Sequence, residues 1–133
     1  MRRMLWTIGA AAVVAGCGAD VGNPYSAKAT APCLTKSGFA VSRRPAAVGV
    51  IAAAADRGGL RAVVPGKGNN VTIAFGGDAH DAVDIARAYR RFAPPRVRRH
   101  LRDILSRQRN AILVWTVAPT ERQLQTVQKC LAS

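Results

Sequence analysis

The sequence predicts an α+β domain built on an antiparallel sheet, with one further helix before the sheet and one after it. Two observations lead there. Short runs with strand alternation, such as Val71, Ile73 and Phe75, are interleaved with segments whose apolar residues recur at helical spacing, such as Ala82, Ile85, Ala86 and Tyr89. Clusters of glycine, proline and asparagine separate these runs, and their turn chemistry sets the boundaries.

Thr30-Ala31-Pro32 reads as an N-cap and a first turn, where proline's missing N–H does no harm. A short helix then runs to Ser37, and Gly38 suits its end. Phe39–Ser42 alternates as a strand until Arg43-Arg44-Pro45 breaks it. Ala46–Asp56 carries Val48, Ile51, Ala52 and Ala55 at helical spacing and stops at Gly58-Gly59. Leu60–Val64 is a second strand, residues 65–69 (PGKGN) a turn, and Asn70–Phe75 a third strand. Asp78 is the expected N-cap of the next helix, with Asp81 in its first turn and Val83 and Phe92 beside its apolar stripe. Pro94-Pro95 interrupts. A second amphipathic helix is expected over Pro95–Gln108, with Val97, Leu101, Ile104 and Leu105 on one face. Asn110 is a turn residue, and Ala111–Val117 is apolar enough for a central strand. Thr120 to Gln123 has the form of a capping box for a last helix carrying Leu124, Val127 and Leu131, with Cys130 at its edge.

From Phe39 the order is β-α-β-β-α-α-β. Without the extra helix it becomes βαββαβ, the ferredoxin-like arrangement. Right-handed crossovers then set strand one beside strands three and four. This is a statement of topology only; the cysteines for iron–sulfur chemistry are lacking. Ile112 and Val114 lie on one face of the last strand, and Leu113, Trp115 and Val117 on the other. Both sheet faces therefore need cover, from the terminal helices or from a second copy in a homodimer.

The first seventeen residues follow a different logic. Arg2-Arg3 precede an apolar run, Leu5 to Val14, about ten residues long and too short to span a bilayer, which takes roughly 20. Such a segment is an export signal and lies outside the fold. Val14-Ala15-Gly16-Cys17 resembles the lipobox of bacterial prolipoproteins, with valine in place of the more usual leucine. The resemblance covers this segment alone. It implies cleavage before Cys17, lipidation of that cysteine, and residence at the outer face of the cytoplasmic membrane or elsewhere in the cell envelope. Ordinary secretion, with cleavage near Ala15 or Ala19, is the alternative. The expected organisation is a signal peptide at 1–16, a lipidated cysteine and flexible tether at 17–30, and a single domain at 31–133. With Cys17 assigned to lipid, Cys33 and Cys130 are the two thiols that remain, and export favours a disulfide between them that joins the terminal helices.

The chain carries a formal charge of +13; without Arg2 and Arg3 it keeps eighteen basic and seven acidic residues, a net of +11. That balance favours anionic partners. Arginine exceeds lysine in an alanine-, glycine- and valine-rich background, a bias that high-GC coding produces by itself. Residues 87–109 nevertheless hold nine arginines against one acid, Asp103. Arg96, Arg98, Arg99, Arg102, Arg107 and Arg109 are the candidate anion contacts, with anionic lipid or a wall polymer as the partner. Nucleic acid is disfavoured because no aromatic residues interleave with the arginines for base stacking. Asp78, His80, Asp81 and Asp84 form the one cluster suited to a metal-dependent or hydrolytic site, but further histidine ligands are missing and capping explains these residues. Gly76-Gly77 lacks a phosphate-loop pattern, and no serine sits in a nucleophile-elbow motif. The sequence thus predicts a lipid-anchored envelope binding module without catalytic activity, metal or cofactor. A polyanion or anionic-membrane binder and a small hydrolase around Asp78–Asp84 are the alternatives.

Overall fold

A computed structural model describes residues 23–66 and 68–132. The expected signal peptide and lipidated Cys17 lie outside the described residues.

Helix α1 (Ala27–Lys36) starts where the Ser26 side chain accepts from the Ala29 N–H at 3.1 Å. The cap is thus Ser26 and not Thr30, and residues 27–30, expected in the tether, are helical. Ala27 and Thr30 are buried, and that burial holds the extra turn. Pro32 consequently sits inside the helix; Lys28, whose carbonyl loses that N–H, is exposed.

Strand β1 (Ala40–Ser42) leads to α2 (Pro45–Ala53), which is kinked at Gly49, φ 82°. Strands β2 (Gly59–Val63) and β3 (Asn70–Phe75) follow. A Cβ at position 59 would lie 2.6 Å from the Ala52 carbonyl oxygen, so glycine lets β2 pass close under α2. Helix α3 (Ala79–Phe92) begins at Asp78, whose carboxylate accepts from the Asp81 N–H at 2.7 Å.

The expected helix over Pro95–Gln108 is replaced by three pieces: α4 (Pro95–Arg98), α5 (Leu101–Ile104) and strand β4 (Leu105–Gln108). Leu105–Gln108 forms a hairpin with β5 (Ala111–Trp115) and satisfies that strand's outer edge, which a helix would leave unpaired. Its turn is Arg109-Asn110, with Arg109 at φ 52°. Helix α6 (Glu121–Ala132) has the expected capping box: Gln123 N–H donates to Thr120 Oγ1 at 3.2 Å, and Thr120 N–H to Gln123 Oε1 at 3.1 Å.

The five strands are antiparallel in the order β1-β2-β3-β5-β4. This corrects the ferredoxin-like expectation, because β1 pairs with β2 and lies at an edge. Three residues long, partly exposed and followed at once by Arg43 and Arg44, β1 lacks the two buried faces of a central strand. β3 and β5 have them and take the centre.

Val71, Ile73, Phe75, Leu113 and Trp115 share one buried cluster with Leu34 of α1 and Val127, Cys130 and Leu131 of α6. Ala74 and Ile112, on the opposite face, pack with Val48 and Ala52 of α2 and Ala82, Ile85 and Ala86 of α3. The result is a sheet between two helical layers, with the terminal helices covering one face. A Cys33–Cys130 disulfide joins them, with Cα atoms 5.3 Å apart and a sequence separation of 97.

Two buried asparagines tie loops to this frame. Asn110 Nδ2 donates to the carbonyls of Tyr25 (2.8 Å) and Gly76 (2.7 Å), and its Oδ1 accepts from the Tyr25 N–H at 2.9 Å. Asn69 links Val117 and Gln123 across the other end.

Candidate anion-binding surface

The basic surface starts at the C-terminal turn of α3. Arg90 and Arg91 lie in that last turn, where the helix dipole favours cations. Ala93 leaves helical conformation (ψ 146°), as a residue before proline does, and Pro95 opens α4. His100 separates α4 from α5. Leu101 and Ile104 are buried against the β4–β5 edge, so Arg102 and Asp103 between them face solvent.

This path brings together arginines from three elements. Arg90 of α3, Arg98 of α4 and Arg102 of α5 line a depression of about 440 Å³, together with Leu101 and Leu105. Arg98 also lines a neighbouring depression of about 480 Å³ with Pro95 and Arg99. Among the described residues, Arg90, Arg98, Arg99 and Arg102 have no ion pair or hydrogen bond through their side chains. Several unneutralised guanidinium groups on an apolar base suit a multivalent anion such as a phosphate group, which accepts bidentate hydrogen bonds.

The remaining candidates are placed differently. Arg96 is exposed on α4, and Arg107 is exposed on β4. Arg109, at the β4–β5 turn, stacks its guanidinium over the Tyr25 ring at 5.1 Å and lines a separate cavity with residues of the N-terminal segment and α6. Residues 96–109 therefore do not form one helical arginine face. Arg90 joins the cluster instead, brought in by the reversal at Pro94-Pro95. The sequence marked that turn but not its direction.

The acidic cluster is occupied with local structure. Asp78 caps α3, and Asp81 Oδ2 accepts from the Gly77 N–H at 2.7 Å. Asp84 pairs with Arg87 at 3.0 Å, and exposed His80 lies 3.7 Å from it. Among the described residues, no group of three or more His, Cys, Asp or Glu side chains is arranged to hold a metal ion. Burial pushes the Tyr89 hydroxyl up from 10.0 to about 12. No described helix is long and apolar enough to cross a membrane. Comparison with protein-family models, curated proteins and solved structures finds no match.

Proposed function

We propose that this chain is an exported, lipid-anchored binding module that acts without catalysis and takes up an anionic, phosphate-bearing partner of the cell envelope through Arg90, Arg98 and Arg102. The observation that carries this reading is the convergence of these three unneutralised arginines, from three separate elements, around one depression. The Cys33–Cys130 disulfide supports a non-reducing compartment. The lipobox-like Val14-Ala15-Gly16-Cys17 supports anchoring, and two or more acyl chains anchor stably where one does not. The non-catalytic part of the reading rests on the structural uses already found for the described cysteines and for the Asp78–Asp84 carboxylates.

The test uses the whole chain in non-ionic detergent with inorganic polyphosphate as the probe. Binding should weaken as salt rises, because screening shortens the reach of charge to about 10 Å at 0.1 M. Arg90→Glu, Arg98→Glu and Arg102→Glu together should weaken it on the order of a hundredfold, at ~1 kcal/mol per basic residue. Equal binding by parent and variant, or none by either at low salt, would refute the proposal.

A further inference from the structure

The last turn of α3, which supplies Arg90 to the arginine cluster, also borders an apolar surface that the fold leaves uncovered. Val50 is 83% exposed and Phe92 69% exposed. The two share a groove of about 540 Å³ between α2 and α3, and both also line a smaller, adjoining groove of about 190 Å³ that reaches Pro94 and Val97. The Gly49 kink breaks α2 next to Val50. Phe92 ends α3, and the Arg91 guanidinium sits 5.4 Å from its ring centroid.

Charge is distributed unevenly along this groove. Its far end, by the start of α3, is lined by Asp56, Asp81 and Asp84. Its near end, at Phe92, carries the Arg91 guanidinium over the ring, with Arg90 in the same last turn of α3. Along α3, Asp84 and Asp81 lie about 12 and 17 Å from Phe92. An anionic surface therefore attracts the Phe92 end and repels the other, which fixes an orientation as well as an affinity.

We infer that Val50 and Phe92 insert into the headgroup–acyl boundary of an anionic bilayer while the neighbouring arginines engage its phosphates. The inference rests on the anion-binding reading above and names the partner as the membrane. Apolar groups with cations at one end are the chemistry of interfacial attachment, which buries apolar side chains about 5–10 Å into that boundary. A second copy of the chain is the poorer occupant, because each copy, without Arg2 and Arg3, still brings a formal charge of +11.

The experiment places a tryptophan reporter at each position in the whole chain: Val50→Trp, Phe92→Trp and, as a control, Val117→Trp, which is exposed beyond β5. The native Trp115 supplies a constant background. Each protein is reconstituted into vesicles of phosphatidylglycerol or of phosphatidylcholine with brominated acyl chains. The inference predicts quenching of the added fluorescence at 50 and 92, severalfold stronger than at 117 and stronger in phosphatidylglycerol. Equal quenching at all three positions, or none at 50 and 92, overturns it. A blue shift at 92 that depends on protein concentration, without quenching, overturns it in favour of self-association. If polyphosphate still binds while 50 and 92 go unquenched, insertion alone fails. If polyphosphate does not bind, the anion-binding reading fails with it.

Discussion

Reducing the Cys33–Cys130 disulfide is the perturbation whose size follows most directly from the fold. The bond closes a loop across 97 positions, nearly the whole described domain. On the chain-entropy relation, closing a loop of that length removes ~16 cal/mol/K from the unfolded ensemble, about 4.7 kcal/mol at 25 °C. About 110 described residues carry an unfolding entropy of roughly 230 cal/mol/K near the melting point, so reduction should lower Tm by about 20 °C. Domains of this size hold ~5–15 kcal/mol in total, which puts the reduced protein near the edge of folding. It should still fold at low temperature, because Leu34, Val127 and Leu131 keep α1 and α6 packed on the sheet without the bond. The assay is calorimetry of the whole chain with and without reductant, paired with non-reducing peptide mapping that recovers Cys33 linked to Cys130. A fall in Tm of less than about 5 °C, equivalent to roughly 1 kcal/mol, would refute the entropic argument.

Asn110→Ala should destabilise the domain by about 2–4 kcal/mol in a urea titration. It strips side-chain partners from the Tyr25 N–H and from the Tyr25 and Gly76 carbonyls. A loss below ~1 kcal/mol would mean that water replaces the clamp. Tyr89 should ionise near pH 12, seen as a late phase in the ultraviolet titration that Tyr89→Phe removes. Because its folded pKa lies above the unfolded 10.0, its contribution to stability is intact below pH 10 and is lost as the pH rises through 12. A titration in which Tyr89→Phe changes nothing above pH 11 would contradict that burial.

Local chemistry was legible where a few neighbouring residues decide the outcome. Asp78 and the Thr120–Gln123 pair cap helices in the structure as their spacing implies. Ala111–Trp115 is an interior strand because both its faces are apolar. The disulfide followed from counting cysteines. What failed depended on distant partners. Leu101, Ile104 and Leu105 fit one helical stripe, yet Leu105 belongs to β4, since the edge of β5 offers it a ladder that no local pattern announces. The Arg109-Asn110 turn enters left-handed conformation without glycine, so the usual hairpin signal is absent. Strand order is a matter of long-range pairing, and β1's exposure decides it only after folding. Phe92, which its spacing set beside the apolar stripe of α3, is exposed. That position became informative only once Val50 and Arg91 stood next to it.

The central claim is that a particular arginine cluster, and not net charge, binds anions. The measurement that tests it most directly compares two charge-matched variants on polyphosphate at fixed salt. One carries Arg90→Glu, Arg98→Glu and Arg102→Glu. The other carries Arg43→Glu, Arg44→Glu and Arg122→Glu, which are exposed beside β1 at the opposite sheet edge and on α6. Both change the formal charge equally, and both should melt close to the parent because exposed charges contribute little to stability. At ~1 kcal/mol per basic residue, the first should bind on the order of a hundredfold more weakly than the parent, and the second should stay within a few-fold of it. Equal losses in the two variants would contradict the account.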